Sequence, residues 1–154
     1  MITVFYDRNN PAAEAASKII AFKSGAVRKR VSGLRGFQAG SDDIIVFALG
    51  VSSGHITGLK AVLSCWENIR FAKIVFVLAG NLPCGHPVYE TIYSKDLPPA
   101  VRERAYCHSV DLHEFCTSAF IQKITAGLKL MVPFIRASLE SRFASVFEAV
   151  SLLK

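Results

Sequence analysis

Short apolar runs recur along this chain, and each of the first three ends in a polar or glycine-containing turn. The longest of them cover residues 2–6, 44–49 and 73–78. The run at 44–49 is apolar without interruption, which is typical of a strand that is buried on both faces of a parallel sheet. A short basic run at 26–31 and a weaker run at 105–110 predict two further strands. The pattern therefore predicts five strands.

A helical pattern follows the first strand. Pro11 suits the first position of a helix over residues 11–23, with Asn9 or Asn10 as its N-cap. The side chains that this helix is expected to turn inward are Ile19, Ile20 and Phe22.

Residues 58–69 predict a second helix, because apolar side chains recur there at helical spacing. These side chains are Leu59, Val62, Leu63 and Trp66, and we expect the tryptophan to be core packing. Residues 32–41 hold three glycines and show no periodicity, so the crossover there is expected to be short or irregular.

The second half of the chain is less regular. Turn residues from Gly80 to Gly85 end the fourth strand, and an irregular segment follows. Pro98 and Pro99 open a short helix that ends by Arg104. From about residue 113 to the end the pattern is mostly helical, with an interruption or kink near Pro133.

Alternation of strands and helices predicts an α/β fold with a parallel sheet covered on both faces. The 154 residues are the size of one domain, and no internal repeat or linker divides them, so we expect a single domain over 1–154. No run approaches the ~20 apolar residues that cross a bilayer. Since the chain enters a strand at once, without a signal-peptide pattern, a cytoplasmic protein is the expectation.

Two of the predicted strands end in turns that start helices, at Asp7 to Pro11 and at Gly50 to His55. Parallel strands that neighbour each other bring such turns together at one edge of the sheet. Open α/β sheets bind ligands in the crevice between these turns. The candidate site is therefore placed there.

The formal net charge of +6 is unevenly distributed. Basic residues cluster around the second strand, namely Lys23, Arg28, Lys29, Arg30 and Arg35. Because no aromatic residues interleave with them to stack on bases, no nucleic-acid partner is expected. A solvated edge strand accounts for the cluster, and an anionic substrate or membrane surface fits the same charge.

The cysteines predict no disulfide framework in a chain of this kind. Three of them lie near histidines, as Cys84-Gly85-His86, Cys107-His108 and His113-Glu114-Phe115-Cys116. None of these spacings matches a known zinc motif, and neighbours such as Cys107 and His108 should point to opposite faces of a strand. Buried thiols and surface histidines are the favoured interpretation, so no metal site is predicted.

The order and size of these elements resemble flavodoxin-like proteins, in which five parallel strands in the order 2-1-3-4-5 hold FMN at their ends. Among such proteins, the chain resembles the flavodoxin-like, menaquinone-dependent protoporphyrinogen oxidase group. The likeness is carried by Phe47-Ala48-Leu49-Gly50-Val51-Ser52-Ser53-Gly54-His55, and by the late basic and apolar helix Phe120-Ile121-Gln122-Lys123-Ile124-Thr125-Ala126-Gly127-Leu128-Lys129-Leu130-Met131.

This resemblance implies an FMN site. The phosphate loop would be Asp7, Arg8, Asn9, Asn10, Pro11 and Ala12. The isoalloxazine ring would lie against Leu49, Gly50, Val51, Ser52, Ser53, Gly54 and His55, and against Gly80, Asn81, Leu82 and Gly85. Tyr89 and Tyr93 follow the third loop, where they either stack on the ring or cover apolar surface.

The first loop departs from the family pattern, which places Ser or Thr near its start and end and Gly within it. Asp7 would bring a carboxylate close to the phosphate, and Pro11 removes one donor. Arg8 and the amides of Asn9 and Asn10 compensate in part. In the alternative interpretation, Asp7 or Asn9 caps the helix, and the protein's own side chain takes the place of the anion.

An apolar stripe over residues 120–135 has basic residues around it, which fits either a helix that covers the sheet or one on a membrane surface. An extra C-terminal helix carries a second apolar face that could support a homodimer.

Three functions stay open. The first is FMN-dependent electron transfer or oxidation, with a quinone or redox protein as partner and the catalytic residues unknown. The second is a flavodoxin-like module that has lost FMN and serves binding or regulation. The third is a redox protein based on thiols or a metal at Cys84, Cys107 and Cys116.

Overall fold

The computed structural model describes residues 1–80, 82–83, 85–112, 137 and 140–154. The stripe over 120–135, the kink at Pro133, and Asn81, Cys84, His113 and Cys116 lie outside these ranges.

A parallel sheet forms the centre of the molecule, and helices connect most of its parallel strands. The strands are β1 Ile2–Tyr6, β2 Val27–Arg30, β3 Ile44–Ser52, β4 His55–Ile56, β5 Lys73–Gly80 and β6 Ala105–Asp111. The helices are α1 Pro11–Ser24, α2 Leu59–Ser64, α3 Trp66–Ile69, α4 Pro87–Asp96, α5 Pro99–Arg102 and α6 Ala144–Leu153. A 3₁₀ turn at Val31–Leu34 follows β2.

The five parallel strands lie in the order β2-β1-β3-β5-β6, and β4 pairs antiparallel with β3 outside this path. With the two-residue β4 left out of the count, this is the order 2-1-3-4-5, so the predicted doubly wound, flavodoxin-like arrangement is confirmed. The β6 strand occupies the edge opposite to β2.

Both faces of the sheet are covered. On one face, alternate strand residues such as Val4 and Val46 pack against α1 and α6. On the other face, Phe5, Phe47 and Phe76 lie side by side in register on β1, β3 and β5. Their ring centroids are 5.9 and 5.1 Å apart, a distance at which stacked aromatic rings attract each other. This row of aromatic rings stabilises the register of β1, β3 and β5, and the candidate site lies at the ends of these strands.

Four local predictions need correction. The helix predicted over 58–69 is two short helices, because Cys65 leaves helical geometry and its amide bonds the carbonyl of Val62. The segment expected to be irregular after the fourth strand contains the ten-residue α4. Phe22 is 40 % exposed, since Ile19 and Ile20 already fill the buried face of α1. The third predicted strand runs on to Ser52 and turns back, where a loop leading directly to a helix was expected.

The C-terminal α6 packs against the sheet and α1. Val146 and Val150 of α6, with Phe143 directly before it, are buried in the same cluster as α1. This part of the apolar face of α6 therefore packs within the chain. Among the described helices, none combines the length and the apolar composition needed to span a bilayer.

Candidate functional site

The carboxyl ends of β1, β3 and β5 lie side by side, and the loops that follow them form the candidate site. The first loop, from Asp7 to Pro11, leads into α1. The second is a hairpin from β3 into β4, and the third leads from β5 toward α4.

The first loop uses most of its own hydrogen-bond donors. A carboxylate oxygen of Asp7 accepts from the amide of Asn9 at 3.0 Å, and the carbonyl of Asp7 accepts from the amide of Asn10 at 3.3 Å. The side-chain Oδ1 of Asn10 accepts from the amide of Ala13 at 3.0 Å and thereby caps α1. Pro11 has no amide hydrogen. The donors at the start of α1 are therefore largely satisfied by the loop itself.

The Asn10 side chain also fills the space above the neighbouring strand. A Cβ atom added to Gly50 on β3 would lie 1.9 Å from Nδ2 of Asn10 and 2.2 Å from its Cγ. Such distances are far below van der Waals contact, so only glycine fits at this position while Asn10 caps the helix. The first two loops are thus packed directly on each other.

Asp7 lies deeper in the crevice. It is only 7 % exposed, and its amide bonds the carbonyl of Ala48 on β3 at 3.3 Å. A Cβ atom added to Gly58 would lie 3.2 and 3.4 Å from Cβ and Cγ of Asp7, which shows how closely the start of α2 covers this side chain. A carboxylate therefore occupies the base of the crevice.

The second loop is a tight β-hairpin. Ser53 and Gly54 have φ angles of +52° and +75°, the left-handed values that favour two-residue hairpin turns. Across the hairpin, the amide and carbonyl of Gly50 bond the hydroxyl and amide of Thr57 at 3.1 and 2.9 Å. The tip from Ser52 to His55 is exposed, so it projects from the end of the sheet.

Helix α4 holds this hairpin in place. The Asp96 carboxylate accepts from the amide of Ile56 at 2.7 Å and lies 3.2 Å from Nδ1 of His55. Lys95 donates to the carbonyl of Gly54 at 2.8 Å. Desolvation works against ionisation of Asp96, but the amide of Ile56 and the imidazole of His55 prevail and lower its pKa below the ordinary 3.8. The resemblance gave His55 a role toward flavin, whereas here it pairs with Asp96.

The third loop is closed by a tyrosine. Tyr89 is 4 % exposed, and its hydroxyl lies 3.2 and 3.3 Å from the amide and carbonyl of Leu82. A Cβ atom added to Gly80 would lie 2.3 Å from that hydroxyl. Tyr93 is 2 % exposed and donates to the carbonyl of His108 at 2.6 Å. The sequence left open whether these tyrosines stack on a ligand ring or cover apolar surface. In the structure, both are buried against the protein core.

Burial governs the titration of the groups next to this loop. It raises the pKa of Tyr93 well above 10.0 and that of the Cys107 thiol above 9.0, while it lowers that of His108 below 6.5. As predicted, Cys107 and His108 belong to opposite faces of β6: Cys107 packs on the aromatic core, and His108 lies on the face of Val110. Within the described residues, no three His, Cys, Asp or Glu side chains gather into a possible metal site.

The structure brings some of the predicted site residues together and separates others. Asp7, Asn10, Gly50 and the base of the hairpin are in contact, while Arg8, Asn9 and Pro11 are exposed around the loop and Ala12 is half-buried. Leu49 is fully buried in the core, Val51 is partly buried, and Gly85 is tied to Ser109 on β6 by its amide. The set therefore forms a packed strand-end cluster with an exposed hairpin tip.

Sequence reasoning missed three contributors, namely Thr57, Gly58 and Asp96. Asp96 lies 40 positions after its partner Ile56, and no short-range pattern marks such a contact. Gly58 does carry a local signal, because a glycine directly before a helical pattern is suited to a positive φ. Its φ at the start of α2 is +76°.

No protein-family model, curated protein or solved structure matches this chain.

Proposed function

We propose that this chain is a flavodoxin-like binding or regulatory module in which the protein's own side chains take the place that a flavin phosphate would occupy. The observation that carries the proposal is the hydrogen bonding of the first loop. Asp7 accepts from the amide of Asn9, and Asn10 accepts from that of Ala13. An incoming phosphate would have to displace both acceptors.

Electrostatics supports the same conclusion. A helix N-terminus attracts an anion through its free amides and its dipole. Here the Asp7 carboxylate lies within the loop and is 7 % exposed. A phosphate placed beside it would meet like charge where little water screens the repulsion. The residues present therefore do not fit a phosphate in this loop.

The ring-binding loops support the proposal more weakly. Tyr89 is buried beneath the third loop, and His55 is paired with Asp96. Tyr89 could reach a flavin ring only by breaking a contact that the fold already makes, and the orientation of His55 is set by Asp96.

FMN-dependent electron transfer is the competing function. The strand order and the exposed Ser53-Gly54 turn favour it, because a flat ring could approach a hairpin tip made of small residues. Binding of the ring without the phosphate would leave affinity low, so the two proposals differ in a measurable quantity.

Titration of FMN with the pure protein tests the proposal, with quenching of flavin fluorescence as the signal. We expect no quenching at micromolar protein for the wild type. The triple variant Asp7→Thr, Asn10→Gly, Ala12→Thr removes the carboxylate and the cap and adds two hydroxyls. It is expected to gain FMN affinity at least tenfold, which corresponds to about 1.4 kcal/mol.

Riboflavin, which lacks the phosphate, is the matched ligand control. The variant should gain affinity for FMN and gain none for riboflavin. Tight quenching of FMN by the wild type would contradict the proposal, as would a triple variant that folds and shows no gain.

A further inference from the structure

The β2 strand forms one edge of the sheet. Its four residues, Val27–Arg30, pair in parallel with β1, and no other described strand lies beyond them. An edge strand presents unpaired amides and carbonyls that can bond another extended chain. Val27, Lys29 and Arg30 are exposed, and Val27 reaches 49 %. The edge is therefore accessible from solvent.

This edge carries a concentrated positive charge. Arg28, Lys29 and Arg30 are consecutive, and the exposed Arg35 follows. Arg28 lies over the ring of Tyr6 at 4.5 Å and donates from Nε to the hydroxyl of Ser17 at 3.0 Å. Lys29 lies 5.1 Å from the centre of the Phe37 ring.

The carboxylates of the described residues do not pair with the basic side chains of β2. Among the described residues, the salt bridges involve no residue of β2. The Nη2 atom of Arg28 is buried without a hydrogen-bond partner. The guanidinium of Arg28 is thus held within the fold, whereas Lys29 and Arg30 are exposed and available to an acidic partner.

The register distributes the charge over both faces of the sheet. Arg28 and Arg30 lie opposite Val4 and Tyr6, so they belong to the face of α1, while Lys29 lies opposite Phe5 on the other face. Side chains of an added strand alternate in the same way. Acidic residues at successive positions of such a strand would meet a basic residue on each face.

We propose that β2 binds an extended acidic segment of a partner protein, which extends the sheet by one strand. Backbone bonds would supply affinity, and the exposed Lys29 and Arg30, one on each face of the sheet, would select acidic side chains. A second copy of this chain is disfavoured, because two basic edges repel each other. Nucleic acid is disfavoured as well, since Phe37 lies beneath Lys29 and offers no open ring for a base. This partner site lies on a different part of the sheet from the strand-end cluster, and it does not depend on whether that cluster binds FMN.

The test uses a fluorescein-labelled peptide of eight residues, Glu-Glu-Val-Val-Glu-Glu-Val-Val, which places acidic side chains on both faces of an added strand. Binding is followed by fluorescence anisotropy. The variant Lys29→Glu, Arg30→Glu is expected to weaken binding at least tenfold. The matched control is Lys60→Glu, Lys154→Glu, which makes the same change in net charge at exposed positions elsewhere. The control should weaken binding less than threefold. Circular dichroism establishes that both variants are folded.

Two further probes decide between backbone pairing and simple charge attraction. A peptide with Pro in place of each Val cannot donate backbone bonds at those positions, and it should bind at least tenfold more weakly. Hydrogen exchange of the β2 amides should slow when the Glu-Val peptide binds. Equal binding of the Pro peptide, or an equal loss in the control variant, would overturn the proposal. Tighter binding of a 20-nucleotide single strand or of anionic phosphatidylserine vesicles would overturn it too.

Discussion

Replacing Gly50 by Ala should force the Asn10 side chain off the helix N-terminus. The added methyl group would lie 1.9 Å from Nδ2 of Asn10, and the nearest atoms all belong to this one flexible side chain. The side chain can rotate away, so the main cost is the lost cap on Ala13. An Asn cap contributes about 1 kcal/mol, and we expect Gly50→Ala to lower the free energy of unfolding by about 1–2 kcal/mol.

The same substitution should cost almost nothing once Asn10 is Gly. Asn10→Gly itself costs only a few tenths of a kcal/mol, because Gly is an acceptable N-cap residue. In that background the Ala methyl no longer meets the Asn10 side chain, and Ala loses less backbone entropy than Gly on folding, which offsets roughly 0.5–1 kcal/mol. The coupling energy between positions 10 and 50 is therefore expected to be about 1 kcal/mol or more.

Urea denaturation of the four proteins of this double-mutant cycle measures the coupling. The matched control is Gly33→Ala, because a Cβ atom at Gly33 meets no atom within 4 Å. Its effect should be the same with Asn or Gly at position 10. If Gly50→Ala costs the same in both backgrounds within about 0.3 kcal/mol, Asn10 does not lie over Gly50 and the packing of the first two loops is refuted.

Three further predictions concern the hairpin, the third loop and the partly buried thiol of Cys107. Because the fold lowers the pKa of Asp96, its bonds to β4 stabilise the fold fully above the ordinary pKa of 3.8. This stabilisation is lost as the pH falls from 3.8 through the lowered pKa. Urea unfolding between pH 6 and 3 should show a smaller loss of stability for Asp96→Asn than for the wild type, and equal losses would contradict this. Gly80→Ala should destabilise the fold by about 1–3 kcal/mol, because the methyl group meets the Tyr89 hydroxyl at 2.3 Å. Tyr89→Phe should rescue only part of that loss, since ring carbons remain at 3.2 Å, and full rescue would show that the hydroxyl is the only obstacle. The raised pKa of Cys107 predicts slow labelling by a thiol-specific disulfide reagent at pH 7, and mass spectrometry showing rapid labelling of the native protein would be the contrary result.

The strands could be predicted because burial on both faces leaves a local signal. Residues 44–49 and 74–78 are apolar without interruption, and both lie in central strands of the sheet. The cap at Asn10 was one of two candidates from the Asn-Asn-Pro sequence, because Pro11 marks the first helical position.

The β3–β4 hairpin and its contacts with Asp96 could not be predicted. Strand β4 has two residues, too few for any periodicity, and its anchor Asp96 is 40 positions away from Ile56. The break at Cys65 also has no local sequence signal, since no Gly or Pro marks it. Such features arise from tertiary contacts, which a single sequence does not display.

The absorption spectrum of the purified, undialysed protein tests the central claim most directly. The proposal that Asp7 and Asn10 occupy the phosphate position predicts a colourless protein that releases no flavin on heating. A yellow protein that releases stoichiometric FMN would contradict that proposal and would make the strand-end cluster a cofactor site.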